Sequence, residues 1–220
     1  MAINYWLHLP EGYQPPNTSG EFQRWPVILF LHGMGERGDS LQTLGRLLVY
    51  GIPKQAQEDP TFPFIAVSPQ CPSDMFWPQM INELDLLLDS VLKMYACDPD
   101  RVYLTGLSMG GYGSWHMALT YPDRFAAMAP VCGGFYPGVY EAPINICSLR
   151  GLPIWAFHGA LDTVVPPEQT LALVDALKDC GGDVRLTIYS DVGHDSWVPA
   201  YSDPTLYEWF LSNRRDNRPG

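Results

Sequence analysis

The chain is 220 residues long, with 46% hydrophobic and 17% charged residues, and it carries 7 Trp, 12 Tyr and 9 Phe. This composition excludes disordered and collagen-like chains, and a domain of this length buries about 70% of the surface its unfolded form exposes. Thirteen Lys and Arg against 24 Asp and Glu give a net charge of −11, which argues against nucleic acid, whose phosphates need basic surface, and against anionic membrane.

In chain order, short apolar runs alternate with stretches of helical period. Tyr5 to Leu9 reads as an antiparallel edge strand. The runs Val27–Leu31, Phe64–Val67, Val102–Thr105, Ala126–Ala129, Ile154–Phe157 and Val184–Tyr189 have the composition of strands. Most lack in/out alternation, which suits strands buried on both faces of a parallel sheet. Helices are predicted between them. Ser40 to Tyr50 opens on a serine cap, and Ile81 to Tyr95 carries Leu84, Leu87, Leu88, Val91 and Leu92 at helical spacing. A third runs from near Ser108 to Thr120, a fourth from Pro167 to Asp179, and a last from Asp203-Pro204 to Leu211. Strand–helix alternation of this kind predicts an α/β fold with a mostly parallel central sheet flanked by helices. No repeat or linker divides the chain, so residues 1–220 read as a single catalytic-sized domain. The longest stretch without clear structure, Cys132 to Leu152, is expected to border a site.

The five cysteines, at 71, 97, 132, 147 and 180, form no C-x-x-C pair. They read as reduced, mostly buried thiols, with a Cys132–Cys147 bridge the alternative that spacing allows. The N-terminal residues lack a leader pattern and no apolar run reaches the ~18 residues of a spanning helix, so a cytoplasmic location is expected.

Gly106-Leu107-Ser108-Met109-Gly110 lies between a predicted strand and a predicted helix. A nucleophile elbow needs small residues on either side of its serine, and it places the hydroxyl at a helix N-terminus that favours an oxyanion. A serine cap on a glycine-rich helix start is the plainer alternative. The position between strand and helix favours a nucleophile. A partner base must then follow in the chain. Of His8, His32, His116, His158 and His194, only the last three do. His116 lies two turns along the helix of Ser108 and points away; His158 ends a buried strand, where packing or a supporting role is usual. His194, in the loop after the last strand, is the candidate base. Asp162, just past the strand ending at His158, is the candidate acid on the same rim. Glu168, Asp175 and Asp179 fall on the next helix and face solvent, and Asp191 and Asp195 are too local to reach the far nitrogen of His194.

The loop His32-Gly33-Met34-Gly35-Glu36-Arg37-Gly38 follows the Val27–Leu31 strand. Its glycines let backbone amides approach a substrate oxygen, and the amides of Met34 and Met109 are the candidate oxyanion donors. His32 is expected to tie the loop down. Phe76, Trp77 and Trp197 are candidate pocket walls.

With these residues assembled, the sequence resembles the α/β-hydrolases over nearly its whole length. Within them it is similar to the small, lidless carboxylesterases and predicted peptidases related to the phospholipase/carboxylesterase and dienelactone-hydrolase families. The matching strings are His32 to Gly38, Ser68-Pro69-Gln70-Cys71, Asp98-Pro99-Asp100-Arg101, the Ser108 elbow, Trp155-Ala156-Phe157-His158-Gly159 and Gly193-His194-Asp195-Ser196-Trp197. The resemblance implies an α/β-hydrolase fold without a large lid domain. It also implies hydrolysis of small-molecule esters, short-chain or aryl and feruloyl, through an acyl-enzyme, with no metal or organic cofactor. The alternatives are a serine peptidase or acyl thioesterase on the same residues, and a non-catalytic binding protein on a hydrolase fold.

Overall fold

A computed structural model of the chain describes residues 3–16 and 23–217; Met1 and Ala2, the start of the segment read for a leader, lie outside them. Seven strands form one sheet: β1 (Tyr5–His8), β2 (Trp25–Leu31), β3 (Ile65–Pro69), β4 (Cys97–Leu107), β5 (Ala127–Val131), β6 (Ile154–Gly159) and β7 (Val184–Tyr189). Their order is β1-β3-β2-β4-β5-β6-β7. Only β1, at the edge, runs antiparallel, pairing Tyr5 with Pro69 and His8 with Ala66. The other neighbours are parallel, with Leu31 opposite Gly106 and Leu107 opposite Val131.

The apolar runs become strands because both faces of the sheet are covered. Along β2, Val27, Leu29 and Leu31 enter one core and Ile28 and Phe30 the other, as the two-residue strand period requires. The first core is closed by α2 (Ile81–Met94), α3 (Met109–Thr120) and α4 (Glu168–Asp179), through Leu84, Leu88, Trp115 and Leu173. The second is closed by α1 (Gly51–Glu58), α5 (Trp197–Ser202) and α6 (Pro204–Ser212), through Ile52, Tyr201 and Phe210. The turn into α6 is set by Asp203, whose side chain accepts the Thr205 amide at 2.9 Å, with Pro204 in the first turn.

The helix predicted over Ser40 to Tyr50 differs in kind, and α5 (Trp197–Ser202) was not predicted. Leu41–Val49 is a 3-10 helix, and α1, which was not predicted, follows it from Gly51. Only Leu47 of the 3-10 segment is buried, so no broad apolar face holds it at α-helical pitch. Gly51 turns the chain at φ +67°, a conformation that favours glycine, and packs against the Phe30 ring.

The cysteine reading is corrected. Cys147 and Cys180 form a disulfide, while Cys71, Cys97 and Cys132 are free and buried. The bridge ties the 3-10 turn Ile146–Leu149 to the end of α4, with Cα atoms 5.5 Å apart. A Cys132–Cys147 bridge is ruled out because Cys147 is already paired. Closing a loop of separation 33 is worth about 4 kcal/mol on the chain-entropy account. No helix among the described residues is long and apolar enough to cross a membrane.

Candidate active site

Three loops at the carboxyl ends of the strands bring Ser108, Asp162 and His194 together. Ser108 follows β4 directly, at φ 53° and ψ −115°, and its amide is held by the Val131 carbonyl at 3.0 Å. The turn is tight enough that a Cβ on Gly110 would lie 1.8 Å from the Leu31 carbonyl oxygen. His194 Nε2 lies 2.8 Å from Ser108 Oγ, and its Nδ1 lies 2.7 Å from Asp162 Oδ2. Facing a carboxylate, Nδ1 carries the proton, and Nε2 presents its lone pair to the serine hydroxyl. Asp162 is buried, and its Oδ1 accepts the Val164 and Val165 amides, each at 2.9 Å. Gly159 lets the His194 loop reach this rim: a Cβ there would lie 2.1 Å from the Gly193 carbonyl oxygen.

His116 turns away as expected, donating from Nε2 to the Phe135 carbonyl at 2.8 Å and stacking on that ring. Glu168, Asp175, Asp179, Asp191 and Asp195 are exposed. Cys132, Asp162 and His194 offer metal-type ligand atoms within 4.8 Å of one another. Two of those atoms are already joined by the Asp162–His194 hydrogen bond, which an ion would have to break.

The loop after β2 is locked from beneath. His32 accepts the Cys71 amide at Nε2 (2.9 Å) and donates from Nδ1 to the Gly33 carbonyl (2.5 Å), a pattern that only the neutral ring satisfies. Burial pushes its pKa down to about 4, so the ring stays neutral across the physiological range. Gln70 donates to the carbonyls of Glu36 and Thr43, each at 2.9 Å, and Trp77 Nε1 donates to the His32 carbonyl at 2.9 Å. The strings His32–Gly38 and Ser68–Cys71 are therefore two halves of one interlocked support. Met34 opens a 3-10 turn and Met109 opens α3, so both amides belong to first turns, whose N–H groups lack partners within the helix.

Beside Ser108 lies a cleft of 480 Å³, and Met34, Phe76, Met109, Tyr112, Phe135, Tyr136, Val164 and Val165 are among its walls. Of the three candidate wall residues, Phe76 is there. Trp77 is not: it is fully buried in the core beneath the His32 loop. Trp197 does not line the cleft either; its ring meets that of His194 edge to face at 5.3 Å and that of Tyr50 at 5.6 Å. The aromatics of the Cys132–Leu152 connection, Phe135 and Tyr136, supply the wall instead. The length of that connection signalled a nearby site without identifying the residues.

This architecture, a mostly parallel sheet with the candidate residues on its carboxyl rim, is the α/β-hydrolase fold. The chain belongs to the phospholipase/carboxylesterase family, whose pattern matches residues 57–203. It is 48% identical over 262 aligned positions to poly(3-hydroxyalkanoate) depolymerase C of Paucimonas lemoignei, covering 99% of this chain and 59% of that protein. It is 26% identical over 220 positions to poly(3-hydroxyoctanoate) depolymerase of Pseudomonas fluorescens, covering 90% and 77%. Among solved structures, a thermostable esterase superposes with a TM-score of 0.78 at 30% identity, covering 96% of this chain and 59% of that one. The chain thus spans 59% of the length of both the first depolymerase and the thermostable esterase.

Proposed function

We propose that the chain is a serine carboxylesterase, with Ser108 as nucleophile, His194 as base and Asp162 as its orienting acid. The observation that carries this reading is the unbroken hydrogen-bonded line from Ser108 Oγ through His194 to Asp162, beside a cleft that opens onto the serine. His194 takes the hydroxyl proton as Oγ attacks the acyl carbon, and the carbonyl electron pair moves onto oxygen, where the Met34 and Met109 amides receive it. Collapse expels the alcohol, which leaves with the proton from His194. Water then attacks the acyl-enzyme by the same route and releases the acid. Every step uses groups of the chain itself, so neither metal nor organic cofactor enters.

Among the described residues the cleft walls carry no charged side chain, which supports an uncharged, apolar acyl group and disfavours a peptide held by its terminus. Met34, Phe76, Tyr136 and Val164 are cleft-lining and also exposed, continuing the apolar surface outward. Together with the two depolymerase relatives, this favours a second reading: hydroxyalkanoate oligomers or polyester join the short-chain and aryl esters as substrates. The Cys147–Cys180 bridge, with Cys147 exposed, supports an oxidising compartment over the cytoplasm.

The test is a hydrolysis panel: p-nitrophenyl esters of C2 to C12 acids, a feruloyl ester, a 3-hydroxybutyrate oligomer and a dipeptide amide, alongside labelling by a fluorophosphonate. Ester turnover at least about 100-fold above amide turnover, with labelling at Ser108, is the expected result. Folded protein that cleaves no ester would overturn the reading, and faster amide cleavage would replace it with a peptidase.

A further inference from the structure

We propose that His158 is a positioning residue for the candidate acid: a second imidazole that, besides His194, holds Asp162 Oδ2. This deepens the esterase reading and rests on it. His158 is 0% exposed, at the end of β6. Its Nε2 faces two acceptors, the Val165 carbonyl at 2.8 Å and Asp162 Oδ2 at 3.1 Å, and so carries a proton. Its Nδ1 lies 2.8 Å from Thr170 Oγ1 on α4, and that hydroxyl oxygen lies 2.5 Å from the Gly133 carbonyl oxygen, so the one hydroxyl proton sits between two acceptors.

Asp162 Oδ1 is already fixed by the Val164 and Val165 amides. The angle at which Oδ2 meets His194 then depends on what else Oδ2 touches, and that contact is His158. The same ring nitrogen grips Val165, so one buried side chain sets both the carboxylate and the Asp162–Val165 loop. Through Thr170 and Gly133 it also joins the loop after β5 to α4. Burial holds the His158 pKa below that of an ordinary imidazole, against the pull of the adjacent Asp162 carboxylate, and so favours the neutral ring with its one proton on Nε2. A misplacement of even 1 Å in a reacting group costs on the order of 100-fold in rate, so loosening Asp162 falls on kcat while the cleft still binds substrate.

The experiment compares His158→Leu and His158→Gln with the native chain, at a temperature where thermal melts show all three folded. His158→Leu is expected to lower kcat about 10- to 100-fold with KM within about twofold. His158→Gln, which keeps an N–H donor, is expected to regain most of that loss. The low-field proton resonance of the Nδ1–H between His194 and Asp162 should broaden or shift in the leucine variant and return in the glutamine one. A folded His158→Leu enzyme with kcat within threefold of native overturns the proposal. So does a glutamine variant no better than the leucine one, since that is the signature of packing alone. The resonance does not depend on turnover. If the esterase reading itself fails on the ester panel, it still reports whether His158 sets the Asp162–His194 bond.

Discussion

Ser108→Ala is expected to lower kcat for p-nitrophenyl acetate by at least about 10³-fold while leaving the melting temperature nearly unchanged. The Oγ atom is the only part of the side chain removed, and its near neighbour is a nitrogen of a half-buried imidazole rather than the core. Alanine also inherits the backbone angles of the turn without adding volume. What remains is a cleft with its amides and its base in place, which can bind ester but cannot form the acyl intermediate. Fluorophosphonate labelling should disappear in the same variant. Retention of more than a tenth of the native rate would remove Ser108 from the mechanism and leave the elbow as a plain helix start.

The second large effect is structural. Gly110→Ala would put a methyl carbon 1.8 Å from the Leu31 carbonyl oxygen and 2.5 Å from its carbonyl carbon. These are backbone atoms of a strand in the interior of the sheet, paired on both sides, so neither can give way as a flexible side chain would. Overpacking of ordinary cores costs about 1–3 kcal/mol, and here the cost should reach the top of that range or beyond. For a chain of this size that lowers the melting temperature by roughly 10 °C or prevents folding outright. Gly35→Ala is the control: its Cβ would meet nothing within 4 Å, so near-native stability is expected. Equal melting temperatures for the two variants would refute the close approach of α3 to β2.

The two glycines illustrate what was legible in the sequence. Both stand in glycine-rich strings, yet only one is enforced by contact, and which one depends on a strand 79 positions earlier in the chain. The strands themselves were readable because burial on both faces leaves an unbroken apolar run, as in Val27–Leu31. The rim positions of Ser108 and Asp162 followed, since each stands a few residues past such a run, while His194 was placed by the loop after the half-exposed edge strand Val184–Tyr189. The cleft walls did not follow. Phe76 and Trp77 are adjacent and chemically alike, but one is 43% exposed and the other 0%, because the chain turns between them into a 3-10 segment at Trp77. The Cys147–Cys180 pairing was equally hidden, being fixed by where α4 ends against the 146–149 turn. Likewise the sequence placed His158 at a strand end without revealing that its ring would face Asp162.

The backbone of Ser108 carries a cost of its own. Its φ of 53° and ψ of −115° lie in a sparsely populated region, where a residue with a side chain is held at an expense of about 1–3 kcal/mol. Glycine at this position would relax that tension. Stabilisation and chemistry therefore pull against each other at one residue. Directed evolution screened on heat resistance alone has a downhill path there that ends in an inert fold, whereas a screen that also scores turnover closes it. The residual tension must be met by the rest of the molecule, and the hydrogen bond from the Ser108 amide to Val131 and the close packing around Gly110 are where it is held.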